Sequence, residues 1–349
     1  MKAYMDNIAA NISVRKKICE DILEGRFLHA YIIEGKRGTG RHLLARTIAA
    51  ALACENKGKD GIPLPCHACN NCMKIERDIS PDVITVKKEP DRATIGVNSS
   101  RFIKSDVCIY PNDLDYKIYI IDDADIMTPE AQNALLLTLE EPPHYAVFLL
   151  ICEKADSLLE TVRSRAPIIR TESVPFEIMS QYLCDSAPKE YSSEARRIKN
   201  SSETEFYDII ASSNGSIGKA YELLDPEKRA PLLELRNQVK DLIKNILTNR
   251  SPSSVFDSFL SLSSKRTELS NQLELLTIAI RDLIVLKKHE NAPLCFYTDR
   301  EDAIELSSLK SASFLFKLTE ALEEAIVALE KNANVKLTVT VLSAKISSK

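Results

Sequence analysis

Apolar and polar positions follow two different periods in the first half of the chain. Short runs rich in Ile, Val, Leu and Tyr predict strands, whereas apolar residues three or four positions apart predict helices. The predicted elements are, in chain order, a helix at 6–25, a strand at 28–33, a helix after residue 40, a strand at 83–86, a helix at 98–106, a strand at 117–121, a helix at 129–139 and a strand at 146–151. Strands that alternate with helices are typical of a parallel α/β sheet.

The pattern changes to helices alone after about residue 172. Short helical segments are interrupted by a Gly-Ser-Ile-Gly turn at 215–218, and longer apolar stripes at helical spacing follow. Ser- and Pro-rich segments at 251–254 and 291–293 predict loops. We therefore predict three domains, an α/β domain at 1–172, a small helical domain at 173–230 and an all-helical domain at 231–349.

Composition narrows the class of protein. The 349 residues are 44% hydrophobic and 28% charged, with a net charge of −4, which excludes a generally basic nucleic-acid binder. No apolar run approaches the roughly 18 residues of a membrane span, and no apolar signal-peptide core follows the N-terminus. We expect a cytoplasmic protein without a membrane partner.

A glycine-rich segment lies between the first predicted strand and an apolar helix. In the P-loop frame G-x-x-x-x-G-K-[ST], Gly35 and Gly40 have the required spacing, but Arg41 replaces the Lys and His42 replaces the hydroxyl residue. A forked guanidinium is a poor substitute for a point charge, and imidazole cannot replace the oxygen ligand that Mg²⁺ prefers. The segment therefore predicts a nucleotide-type loop that has lost catalysis. It weakens the case for ATP binding and leaves binding without turnover open.

The predicted strand at 117–121 ends in two acids, Asp122 and Asp123. In a Walker B element the first carboxylate supports Mg²⁺ and the second orients the attacking water. A buried strand that ends in solvated acids is the alternative, but the position downstream of the glycine loop favours the first interpretation. The residues assigned to this degenerate nucleotide site are Gly35, Gly40, Arg41, Asp122 and Asp123.

Four of the nine cysteines lie close together in the sequence. They are Cys54, Cys66, Cys69 and Cys72. Four thiolates with two C-x-x-C steps are enough for a closed tetrahedral zinc site, and we predict a structural zinc module at about 54–72. An iron–sulfur cluster or a redox-active pair is the competing interpretation. His67 is adjacent, but we do not expect it to be a ligand.

Several segments resemble the bacterial clamp-loader AAA+ subunits. They are 29–31, 131–143, 148–150, 161–165 and 332–337. The resemblance covers about residues 6–172. The resembled family has a four-cysteine zinc module after the P-loop helix, at the place of the four cysteines here. It implies a RecA-like AAA+ parallel-sheet domain with an inserted zinc module, then a small helical lid. A C-terminal all-α collar domain that packs against neighbours in a ring would follow.

The segment Thr161-Val162-Arg163-Ser164-Arg165-Ala166 resembles the family's Ser-Arg-Cys signature, with Ala166 in place of the Cys. The resemblance implies that Arg165 is an arginine finger that acts in trans on the ATP site of a neighbouring subunit. Such a finger stabilises the charge of the transferring phosphoryl group. An ordinary surface or salt-bridged arginine is the alternative.

Other family positions are also altered, since Cys152 stands where Thr or Asn is usual and Lys219 where the ATP-binding members have Arg. The combination resembles the delta-prime type of subunit, which would not hydrolyse ATP itself. The resemblance implies the clamp loader of the DNA polymerase III holoenzyme, with gamma/tau and delta subunits, the sliding clamp and primed DNA as partners.

Two other functions remain open. The first is a self-sufficient, gamma/tau-like ATPase in which Arg41 and Asp123 still work. The second is a free-standing zinc-dependent DNA-binding protein, which would need more positive charge. Arg101 and Lys104, on the predicted helix at 98–106, form either a local DNA patch or a solvated helix face.

Overall fold

The structure is a computed structural model that describes residues 5, 8, 11–248, 256, 258–259, 262–290, 292 and 294–347. The predicted helix at 6–25 is present as α1 (Ile12–Leu23), and most of residues 6–10 lie outside the described part. The predicted loop at 251–254 also lies outside it, as do residues 291 and 293 of the other predicted loop. By its internal packing, the chain divides into two compact units, one of residues 1–178 and 216–218 and one of residues 179–215 and 219–349.

The first unit contains a five-stranded parallel sheet, which confirms the predicted parallel α/β sheet. Its strands are β1 (Ala30–Glu34), β2 (Val83–Val86), β3 (Lys117–Ile121), β4 (Ala146–Cys152) and β5 (Ile168–Arg170). Their order across the sheet is β2-β3-β4-β1-β5, and every pair is parallel. β1 and β3 therefore flank β4, and their carboxyl ends lie at the same edge of the sheet.

The strands are apolar because both faces of the sheet are covered, as parallel sheets require. All residues of β3 and β4 are buried. Alternate residues enter two separate cores, so that Ile33 and Ile120 face one side whereas Tyr119 and Phe148 face the other. The Tyr119 and Phe148 rings stack with centroids 5.2 Å apart.

Within the described residues, six α-helices belong to this unit. Besides α1 they are α2 (Arg41–Ala53), α3 (Asn70–Glu76), α4 (Val97–Asp106), α5 (Pro129–Glu140) and α6 (Glu160–Arg163). α1 and α2 contribute to one core, and α4 and α5 contribute to the other. α5 begins where Thr128 accepts a hydrogen bond from the Ala131 N–H, a common N-cap, and has Pro129 at its first position.

The described residues of the rest of the chain form helices and no strand, as the sequence predicts after about residue 172. The helices described there are α7 (Phe176–Asp185), α8 (Lys189–Ser201), α9 (Glu203–Ser212), α10 (Ile217–Leu224), α11 (Pro226–Thr248), α12 (Arg266–Leu286), α13 (Arg300–Ser308), α14 (Ala312–Glu330) and α15 (Val335–Ser347). No helix in the described part of the chain is long and apolar enough to cross a membrane.

The second unit has a large apolar core formed by α11 to α15, in which Leu276 and Ile280 of α12 are fully buried. α11 is continuous across residue 230, where the boundary between lid and collar is predicted. The division of this unit into a lid and a collar stays a prediction.

Two buried arginines join α9 to α11. Arg229 lies 2.9 Å from Glu205. Two turns further along α11, Arg236 donates a hydrogen bond of 2.8 Å to Ser212 and another to the Phe296 carbonyl, and lies 3.7 Å from Asp208. Arg236 is only 2% exposed, so these partners compensate a charge that has lost most of its water.

Candidate functional site

The predicted P-loop glycines lie between the end of β1 and the start of α2. Gly40 has a φ of 86° at the N-cap of α2, a left-handed conformation that favours glycine. A Cβ on Gly35 would lie 2.0 Å from Thr171 Oγ1, and one on Gly38 would lie 1.8 Å from Ser216 Oγ. Neighbouring segments pack directly on this loop, and side chains at these two positions would displace them.

Arg41, at the Lys position of the P-loop frame, is 3% exposed, and its Nε and Nη1 atoms have no hydrogen-bond partner. Burial, reinforced by Asp125 and Glu34, raises the pKa of the Cys152 thiol to about 12, and the charge of Arg41 opposes this rise. Arg41 therefore lies close enough for its charge to act on Cys152 at the end of β4. Cys152 stands where the resembled family usually has Thr or Asn.

His42 contacts the first acid of the predicted Walker B element. Its Nε2 atom lies 3.0 Å from Asp122 Oδ1, at the start of α2 and the end of β3 respectively. In a functional P-loop, the residue that corresponds to His42 supplies a hydroxyl to Mg²⁺. The first Walker B carboxylate, which corresponds to Asp122, also supports the ion. Here an imidazole faces the carboxylate directly, so that the two positions that normally hold Mg²⁺ contact each other.

Arg37 occupies a variable position of the P-loop frame and is not among the predicted site residues. Its Nε atom lies 2.8 Å from Glu153 Oε1, and its Nη2 atom lies 4.0 Å from Asp123 Oδ2. Asp123 itself has a φ of 49°, an uncommon left-handed conformation for a residue other than glycine. Loop, strand end and second acid therefore meet at one edge of the sheet.

The four predicted metal ligands form one cluster. The Sγ atoms of Cys54, Cys66, Cys69 and Cys72 all lie within 4.8 Å of one another, and all four residues are buried. Cys54 ends α2, Cys69 caps the N-terminus of α3, and Cys72 lies in its first turn. His67 is outside the cluster, and its Nδ1 atom contacts Glu76.

The donor set of this cluster fits a tetrahedral metal ion. Zinc–sulfur bonds of about 2.3 Å place tetrahedral sulfur atoms about 3.8 Å apart, and the Cys66 and Cys72 sulfurs are 4.0 Å apart. Cys66 Sγ also accepts hydrogen bonds from the Cys69 N–H and the Asn56 amide, at 3.3 and 3.4 Å. Burial raises the pKa of the Cys66 thiol, but hydrogen bonds from Ala68, Asn56 and Cys69 outweigh it and lower the pKa to about 6. A thiolate at Cys66 is therefore stabilised, as metal ligation requires.

Arg165 lies just after α6 and is one third exposed. Its Nη1 atom donates hydrogen bonds to the Thr161 carbonyl and to Ser164 Oγ, at 2.7 and 3.1 Å. Its Nη2 atom contacts Glu140, the last residue of α5. The guanidinium therefore lies at the surface, and Thr161, Ser164 and Glu140 bind it.

Arg101 and Lys104 are exposed on α4, which confirms the predicted helix but does not decide between a DNA patch and a solvated face. Glu140 and His29 lie in segments that resemble the family, and neither is among the predicted site residues. Both lie beside Arg165 at a shallow cavity of about 450 Å³.

Comparison with known proteins gives matches to subunits of DNA polymerase III. Residues 11–175 match the family model described as DNA polymerase III, delta subunit. The DNA polymerase III subunit delta' of Bacillus subtilis is 28% identical over 301 residues, which cover 85% of this chain and 84% of that protein. The subunit tau of the same organism is 31% identical over 222 residues, which cover 63% of this chain.

The chain spans only 37% of the length of that tau subunit. The tau subunit of Escherichia coli is 37% identical over 143 residues, which cover 40% of this chain and 21% of the relative. The similarity to tau subunits is therefore confined to part of their length, whereas the similarity to the delta' subunit extends over most of both chains.

Proposed function

Because the chain is homologous to the delta-prime and gamma/tau clamp-loader subunits of DNA polymerase III, we propose that it is a delta-prime-type subunit of a clamp loader. In this role it does not hydrolyse ATP at its own site. It completes the ATP site of a neighbouring subunit and helps to load the sliding clamp on primed DNA. Gamma/tau and delta subunits are the proposed partners, and the cytoplasm is the proposed location.

The observation that carries this proposal is the contact between His42 and Asp122. Phosphoryl transfer on a P-loop needs a divalent cation that bridges the phosphates, held by a hydroxyl and a carboxylate. His42 supplies no hydroxyl and lies 3.0 Å from the carboxylate. Arg41, which replaces the phosphate-binding lysine, is buried. These features support a site that is unable to hold Mg²⁺·ATP in a productive arrangement.

Arg165 is the residue that would act in trans. The guanidinium is a third exposed and is part of a surface cavity, so a phosphate group on a neighbouring subunit can reach it. A positive charge beside the transferring phosphoryl group lowers the barrier of phosphoryl transfer. In GTPases an arginine finger raises the rate by about 10³–10⁵-fold. We assign this role to Arg165 and a structural role, with zinc as the metal, to the four-cysteine cluster.

A gamma/tau-like ATPase is the second candidate, favoured by the placement of Gly35, Gly40, Asp122 and Asp123 at one edge of the sheet. The two candidates differ in the activity of the purified chain. We expect no multiple-turnover ATP hydrolysis by the chain alone, and stimulation of a gamma-type ring when the chain is added. Hydrolysis by the chain alone that disappears in Asp122→Ala would support the second candidate instead.

A further inference from the structure

Three segments that carry the family resemblance meet at one place on the first unit. They are 29–31, just before and within β1, 131–143, which contains most of α5, and 161–165, which contains most of α6. His29, Leu139, Glu140, Ser164 and Arg165 line one shallow cavity there. The three segments are distant in sequence, and Arg165 is the residue of the cavity to which we have assigned a function.

Glu140 is placed against the electrostatics of its own helix. The carboxyl end of a helix carries a partial negative charge, so an acidic last residue is unfavourable unless a cation compensates it. Glu140 is the last residue of α5, and the cation that contacts it is Arg165. The two side chains are exposed to a similar degree, 33% for Arg165 and 41% for Glu140. Such a pair contributes little to stability, which points to a role in geometry.

His29 fixes the end of α5 on which Glu140 stands. Its Nε2 atom lies 3.0 Å from the carbonyl oxygen of Leu139, one of the last four carbonyls of the helix, which have no partner within the helix. The His29 carbonyl in turn accepts a hydrogen bond of 2.8 Å from the Phe148 N–H. The sheet therefore holds His29, and His29 holds the helix end.

Some N–H donors of Arg165 bind neighbouring residues of the same unit, and others remain for an acceptor outside it. Nη1 is used by the Thr161 carbonyl and Ser164 Oγ, and Nη2 faces Glu140. A guanidinium has five N–H donors, so donors on Nε and Nη2 remain for an outside acceptor. A planar group held on one side loses less freedom when it binds a phosphate on the other.

We propose that Glu140 is a positioning residue for Arg165, and that His29 sets the helix end from which Glu140 acts. The proposal rests on the proposed function of Arg165 in trans. Glu140 does not touch the neighbour's nucleotide. It orients the guanidinium before the ring assembles, so that the phosphate of the neighbouring subunit meets a preorganised donor.

The test uses reconstituted rings in which the ATP site that receives Arg165 is the active one and the other P-loops are inactivated. Glu140→Gln keeps the size of the side chain and removes its charge. It should lower kcat by about two- to tenfold, as expected for coupled side chains in contact, and leave KM for ATP unchanged. Glu140→Asp should recover part of the loss.

Glu141→Gln is the matched control. Glu141 is exposed, and its substitution removes the same charge one residue away from Glu140. It should leave kcat unchanged, and both variants should have the melting temperature of the wild-type chain. In the Arg165→Ala background, Glu140→Gln should cause no further loss, because it acts only through Arg165.

The outcomes separate this inference from the function on which it rests. If Arg165→Ala rings hydrolyse ATP as fast as wild type, the proposed function itself fails. If Arg165→Ala is slow but Glu140→Gln matches wild type, or is faster, only the positioning role fails. An additional loss in the double variant would also overturn it.

Discussion

Arg165 is the residue on which the proposed function depends most directly. We expect Arg165→Ala to leave the chain folded and able to assemble, because the side chain is a third exposed and its hydrogen bonds are to Thr161 and Ser164 in its own turn. Clamp-loading ATPase should fall partially, since a ring contains several ATP sites and one loses its finger. The measurement is steady-state ATPase of reconstituted rings with clamp and primed DNA.

Arg163→Ala is a suitable control for this experiment. Arg163 lies two residues earlier and is paired with Asp156 at 2.7 Å, so the substitution removes the same charge from the same turn. It should leave ATPase near the wild-type rate. Arg165→Lys should restore activity only in part, because a point charge does not reproduce the guanidinium fork. Equal rates for Arg165→Ala and wild type would show that Arg165 is an ordinary surface arginine.

The glycine loop can be tested by restoring its missing chemistry. In Arg41→Lys with His42→Thr, a hydroxyl oxygen replaces the imidazole that contacts Asp122, and a compact ammonium replaces the buried guanidinium. We expect tighter binding of a fluorescent ATP analogue in Mg²⁺ than in EDTA, a difference that the wild-type chain should lack. An unchanged titration would mean that the pocket is lost elsewhere as well.

The sequence predicts which residues have changed in this site, but not which residues they contact. Arg41 and His42 depart from the P-loop pattern visibly. The contact of His42 with Asp122 could not be predicted, because it depends on how β3 and α2 are placed by the sheet. The same holds for Glu140 and Arg165, whose pairing follows from the packing of α5 and the turn after α6.

At the scale of elements, the zinc module offers the sharpest test. α3 has seven residues, too few for a stable helix in isolation, so its place depends on contacts and on the cysteine cluster. We expect one zinc per chain by elemental analysis. Cys72→Ser should lose the metal and lower the free energy of unfolding by about 3–4 kcal/mol, as for a ligand present at several hundred times its Kd.

Cys108→Ser provides the control, because Cys108 is exposed and lies outside the cluster. It should retain the zinc and unfold at the wild-type temperature. Iron in place of zinc, or no metal after purification without chelators, would contradict the assignment. Ring assembly should survive Cys72→Ser, since the proposed collar is formed by other residues.

Most strands follow from the sequence pattern, including the four-residue β2, but β5 does not. The predicted strands at 117–121 and 146–151 correspond to β3 and β4, because continuous apolar runs are required where both faces are covered. β5 has three residues, too few to show a period, and it forms only because β1 offers an open edge. The predicted boundary at 230/231 lies beside Pro231, yet α11 continues past this proline.

At the scale of the whole molecule, we expect the C-terminal half to carry association with partner subunits. Residues 179–349 include the second compact unit and its large core. This fragment should bind gamma-type subunits as the full chain does in size-exclusion chromatography, whereas residues 1–178 should not. Full assembly by residues 1–178 alone would show that the collar assignment is wrong.

A fragment cut at the predicted boundary should behave differently. Residues 231–349 lack α9 and with it Asp208 and Ser212, two of the partners that compensate the charge of Arg236 in the full chain. Removing one side of a buried ionic contact costs about 3–5 kcal/mol. We therefore expect this shorter fragment to unfold at lower denaturant concentration than residues 179–349, and equal midpoints would argue against a supporting role for Arg236.

The continuity of α11 has a mechanical consequence. Its 23 residues make a rod about 34 Å long. The amino-terminal half is clamped to α9 through Arg229 and Arg236, and the carboxyl-terminal half is embedded in the core with α12. Such a rod is a lever: a tilt of about 10° at one end carries the other about 6 Å, from the rise of 1.5 Å per residue. The distance from a spin label at each end of α11 to a label on α14, compared in free and ring-bound chains, would measure this displacement.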